Sequence, residues 1–175
     1  MNAGGGATQQ RDRRFIAVHR GGLLTASDHR LMMQWALASA QHLLGACPHE
    51  GDAPLEEAFK IAERWADGNA TTGEAMAASR SLHRKARSMS CSISVYRYRI
   101  VAHTLATAHM ADHALGPVYY GQKLFVLLNR PFDEELDWMH VQLKVICPQM
   151  EEAVISVLSN RFSIQLCAGT AGTSE

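Results

Sequence analysis

The sequence predicts an all-α protein, a single-domain bundle of six or seven helices around a central Ala/His-rich helix. Three observations carry this. Apolar residues recur at helical spacing along most of the chain. Cap and stop residues punctuate those runs. No segment alternates convincingly as a strand, Ser92 to Ile100 (SISVYRYRI) being a weak exception.

Taken in order, residues 1–22 are rich in Gly and Arg and are expected to form a flexible leader, with RRFIAVHR inside it packing as a short arm. The helical domain is expected over 23–160 and a tail over 161–175, which ends in AGTAGTSE. Thr25 and Asp28 have capping-box spacing before a helix carrying Leu31, Trp35, Leu37 and Leu44, stopped at Ala46-Cys47-Pro48. Asp52-Ala53-Pro54 opens a second helix, because proline suits the first turn. Its buried face is Leu55, Ala58, Phe59, Ala62, Trp65 and Ala66, its wet face Glu56, Glu57, Lys60, Glu63 and Arg64, and Asp67-Gly68-Asn69 ends it. Thr71 and Glu74 cap a third helix running to about Met89, with Arg80, Arg84 and Arg87 on one face.

A serine-rich turn at Ser88 to Ser94 then leads into the long central helix, predicted to continue to Leu115. Gly116 reads as its left-handed cap, and Pro117 both forbids continuation and opens the next helix through Tyr119, Tyr120, Leu124 and Leu127. After Asn129-Arg130-Pro131, helices are expected at Asp133 to Val145 and at Gln149 to about Leu158, separated by Cys147-Pro148.

Within the central helix, Ile100 to Tyr120 carries His103, His109 and His113 on an otherwise nearly uncharged, alanine-rich background. On a helical wheel His109 and His113 share one stripe with Ala102 and Ala106. His103 takes another side, and Asp112 points inward. Two histidines one turn apart can chelate a metal, so His103, His109, Asp112 and His113 are metal candidates, with His29, His42 or His83 as a third ligand from elsewhere. The glutamate that follows the first histidine in zinc-protease helices is missing. The same imidazoles can serve as acid and base where a substrate cleft exists. They can equally be buried, neutral and hydrogen-bonded between helices. Periodicity leaves these readings open.

Composition narrows the function. Lys plus Arg and Asp plus Glu are 17 each, so the net charge is zero, which argues against a nucleic-acid partner. No apolar run is long enough to cross a membrane, and no apolar run precedes the N-terminal arginines as in a secretory signal. Cys47, Cys91, Cys147 and Cys167 are scattered without a CxxC pair, as suits reduced thiols in the cytoplasm and not a cysteine zinc site. No phosphate loop, dinucleotide fingerprint or nucleophilic serine motif occurs, and no cofactor is expected.

The neutral total hides segregation. Glu50, Asp52, Glu56, Glu57, Glu63, Asp67 and Glu74 stand against Lys60 and Arg64, and Asp133, Glu134, Glu135, Asp137, Glu151 and Glu152 stand against Lys144. Between Glu74 and Asp112 there is no acid, only Arg80, Arg84, Lys85, Arg87, Arg97 and Arg99. Either these blocks neutralise one another or face water, or they form a charged docking surface, the acidic helices suiting a basic protein. Trp35, Trp65 and Trp138 read as core anchors.

The order DHRLMMQWALASAQHLL, PLEEAFKIAERWADG, TTGEAMAASR and IVAHTLATAHMADHALGPVYYGQKL resembles the bacterial putative immunity protein family associated with polymorphic toxin systems. The likeness spans about Thr25 to Leu124, with a fainter echo in ELDWMHVQL, Glu135 to Leu143. The chain departs from the family pattern at Ala38-Ser39-Ala40-Gln41, where a Cys-Ala-Glu stretch is usual, and at SVYRYRI, where relatives are mostly alanine. The resemblance implies a non-enzymatic binding protein whose partner is a protein, a cognate toxin. It carries over no catalytic residue. Together with the charge segregation it points to Glu56, Glu57 and Glu63 as partner-binding residues.

Overall fold

Caps and stops turn the periodic segments into seven α-helices in a computed structural model that describes residues 11–47 and 51–165. These are α1 (Ala26–Gly45), α2 (Ala53–Ala66), α3 (Thr72–Ser88), α4 (Ser92–Ala106), α5 (Gly116–Leu127), α6 (Asp133–Ile146) and α7 (Glu151–Phe162), with no strand among the described residues. The all-α bundle is therefore as expected. Residues 1–10 of the expected leader, Pro48 and the AGTAGTSE tail lie outside the described residues, as does Cys167.

Thr25 accepts a hydrogen bond from the Asp28 amide at 3.0 Å, and Thr71 from the Glu74 amide at 3.1 Å, satisfying helix-end donors at the starts of α1 and α3. Asp52 makes no such side-chain cap for α2. Its carboxylate instead accepts from the Tyr98 hydroxyl at 2.8 Å, tying α2 to α4.

α4 is the central helix, packed most extensively on α3 and α5 and also touching α1 and α2. α1 runs beside it, flanked by α2 on one side and α6 on another. The core between them holds Met32, Met33, Trp35, Leu43, Ile100, Leu105, Leu124, Phe125, Met139 and Leu143, all fully buried. Each such side chain contributes roughly 1.5–3 kcal/mol by leaving water. Polar bonds pin the helix pairs: the Trp35 indole donates to the Met139 carbonyl at 2.9 Å, and the Ser79 hydroxyl to the Ala102 carbonyl at 2.7 Å.

SISVYRYRI is helical, not extended. As part of the central helix it has neighbours on several sides, so both Arg97 and Tyr98, adjacent in sequence, are buried. Ahead of α1, Arg13–Phe15 and Val18–Arg20 form short 3-10 turns, and Phe15 is 2% exposed. Gly21, at φ +81°, lets this arm loop round, so that Ala17 pairs in parallel with Leu24. Arg14 reaches Glu152 of α7 at 3.1 Å.

The central helix departs from expectation at its end. α4 stops at Ala106, a turn follows, and Ala111–Leu115 is a short 3-10 segment. Gly116 is not a left-handed cap. Its φ of −59° and ψ of −45° are right-handed helical, and it begins α5.

Candidate functional site

The break after Ala106 decides where the histidines go. Alanine-rich sequence favours helix through this stretch, but the turn's carbonyls that lack a helical partner are taken by other elements. His29 of α1 donates through Nε2 to the Thr107 carbonyl at 2.6 Å, and Thr72 of α3 donates to the Ala108 carbonyl at 3.4 Å. With the helix interrupted, His109 and His113 are not one helical turn apart. The shared stripe expected for them does not form, and His113 meets His103 instead.

The Nδ1 atoms of His103 and His113 lie 3.3 Å apart, so one neutral ring donates and the other accepts. His83 of α3 sets its ring edge against His103, with centroids 5.1 Å apart. Arg99 Nη1 donates to His83 Nδ1 at 2.9 Å, which places the His83 proton on Nε2. Tyr120 covers His103 at 5.1 Å between centroids, with Tyr119 against Tyr120 at 5.0 Å. The tyrosine pair thus sits beside the histidines.

Burial dominates the chemistry of this cluster. It pushes His103 down to about 3, with further depression from His113, His83 and Arg99. It pushes His83 down to about 4, helped by Arg99 and Arg87. His113 is lowered by burial against a raising pull from Asp112. All three rings are neutral near pH 7, and they bond to one another, to Arg99 and to tyrosine faces. Among the described residues no three His, Cys, Asp or Glu side chains come together so as to hold a metal ion.

Asp112 and His109 stand apart from this cluster. The Asp112 side chain is 8% exposed; its Oδ2 accepts from Arg11 Nε at 2.9 Å and lies 3.8 Å from Arg161. With Ser156, Val157 and Asn160 it lines a cavity of about 300 Å³ between the arm and α7. His109 is exposed and lines a neighbouring cavity of about 290 Å³, together with His29, Trp65 and the arm. Of the other histidines considered as partners, His42 bonds to Glu135 and stacks on Trp138 at 3.8 Å. The proximity of His83 to His103 was not legible in the sequence, since α3 and α4 meet only through tertiary packing. The Arg99 contact has no signal there either.

Glu56, Glu57 and Glu63 are exposed on α2. Glu57 has only a 3.9 Å contact with Lys60, and Glu63 accepts from Gln41 at 3.2 Å. Next to them a cleft of about 210 Å³ opens between α1 and α2, with Leu44, Leu55 and Phe59 as its apolar lining and Asp52 and Glu56 at its edge. The charge blocks remain largely unneutralised by each other. One ion pair, Arg64 with Glu74, joins residues of α2 and α3, while Arg80, Arg84, Lys85 and Arg87 pair with no acid among the described residues.

Neither curated proteins nor solved structures give a match to this chain. A family model does match, over residues 22–145, which takes in α1 to α5, the histidine cluster and most of α6. Over that span the chain belongs to the Imm-5 like putative immunity protein family.

Proposed function

We propose that this protein neutralises a cognate bacterial toxin in the cytoplasm by binding it, without catalysis, through the acidic outer face of α2. Family membership supports a protein partner. The observation that carries the docking surface is the set of exposed carboxylates Glu56, Glu57 and Glu63 beside the α1–α2 cleft. Interfaces gain affinity where an apolar anchor point is ringed by charge, and gain association rate from complementary fields. A basic toxin surface suits this face, with a long lysine or arginine stem against Leu44, Leu55 and Phe59 and its head among the carboxylates.

The tagged chain is to be recovered from its native host and any stoichiometric partner identified by mass spectrometry, then the pair re-formed with the triple variant Glu56→Lys, Glu57→Lys, Glu63→Lys. Association is expected to fall by about tenfold or more, and wild-type binding to weaken with salt, since exposed charges are screened over about 8–10 Å. Unchanged toxin neutralisation by the triple variant excludes this face.

A further inference from the structure

We propose that the cavity between the N-terminal arm and the turn after α4 binds a small organic anion with an aromatic body, its charged end held by Arg11 and Arg20 and its ring lying against Trp65 and Phe15. The site is separate from the acidic face of α2 and opposite in charge.

Its lining carries two arginines and the imidazoles of His19, His29 and His109, and no carboxylate. The adjoining cavity shares Arg11 and Phe15 but contains Asp12 and Asp112, so the absence of acid is particular to this one. Arg20 has no ion pair among the described residues. Arg11 is bound to Asp112 through Nε, which leaves its terminal nitrogens to point a planar fork at a carboxylate or phosphate. Burial holds His29 below the ordinary histidine range against the raising pull of the Thr107 carbonyl, and the positive charge of Arg20 adds to the fall. Thr72, the first residue of α3, also lines the cavity and brings the positive end of a helix dipole to it.

The aromatic wall is fixed in place. Trp65 donates through its indole nitrogen to Thr72 at 3.3 Å and meets the His29 ring edge-on at 5.1 Å. Because Thr72 and His29 also hold the carbonyls of the turn, one set of bonds interrupts the helix and shapes the cavity. At about 290 Å³ it lies at the small end of the range for ligand pockets, room for one ring and one charged group.

Benzoate, phenyl phosphate and neutral benzyl alcohol are to be titrated into the full chain, following the Trp65 indole N–H by NMR and the heat by calorimetry. Saturable one-to-one binding of at least one anion is expected, with no saturable shift from benzyl alcohol; the tighter of the two anions assigns the headgroup as carboxylate or phosphate. Arg20→Gln should weaken that binding by about tenfold or more. Arg20 is exposed, so the variant folds, and the Trp65 signal reports that directly. His109→Asn, also at an exposed position, is the second variant and should weaken binding by a smaller factor. The proposal is overturned if neither anion saturates by about 10 mM, if benzyl alcohol binds equally well, or if Arg20→Gln binds as tightly as wild type.

Discussion

A β-carbon on Gly116 would lie 2.3 Å from the β-carbon of His103 and 2.5 Å from Cγ of its ring. No neighbour can relax enough, because His103 is itself wedged among His83, His113 and Tyr120. Gly116→Ala should therefore force α5 away from α4 and lower stability by roughly 1–3 kcal/mol, read as a fall in thermal midpoint. A midpoint within experimental error of wild type would show that the two helices tolerate separation. The sequence marks Gly116 as special but suggests the wrong reason. The backbone there is ordinary helix, and the glycine is required by the closeness of an imidazole ten or more residues away in the chain. Spacing cannot disclose that kind of demand.

Between elements, the α1–α6 contact depends on Trp35, whose ring fills the core and whose nitrogen reaches the Met139 carbonyl. Trp35→Phe keeps much of the apolar area and loses the bond. A loss of about 1–3 kcal/mol in urea unfolding is expected, from the lost bond together with the space the smaller ring leaves. An unchanged midpoint would mean that α6 is held by apolar packing alone. The boundaries of α1, α2 and α3 could be read because they are written locally, in Thr25, Pro54, Thr71 and Gly68. The end of α4 could not. Ala106 to Leu115 has helical composition throughout, and what stops the helix is supplied by His29 and Thr72 from two other elements. Local propensity is worth tenths of a kcal/mol per residue, and a pair of tertiary hydrogen bonds to the turn outweighs it. The histidine pairing misread from the wheel follows from this one miss.

For the whole molecule, the buried imidazoles tie global stability to pH. His103 titrates at about 6.5 when unfolded and about 3 when folded. Between those values the unfolded chain binds a proton that the folded chain refuses, so stability is complete above about pH 6.5 and declines as pH falls, by up to about 1.4 kcal/mol per pH unit from this residue. His83, at about 4, acts in the same direction with a smaller weight, being half-buried. Chemical denaturation at several values from about pH 7 down to about pH 5, above the range where carboxylates protonate, should show this slope, and His103→Asn should flatten it. A flat wild-type profile would mean the rings are solvated in the native state. At the same scale the segregation of charge was plain from the sequence, but not whether the blocks meet. No ion pair joins them among the described residues: Arg64 and Glu74 pair within the acidic stretch itself, and the arginines of α3 are left to water.

The arm that packs Phe15 into the core also holds Glu152 through Arg14 and Asp112 through Arg11. It works as a clasp, joining α7 to the segment between α4 and α5, beside the bond of Glu151 to His140 and the contact of Arg161 with Asp112. Both cavities beneath the clasp share Arg11 and Phe15 as a common wall, so a lifting of the arm would cost both of them their shape at once.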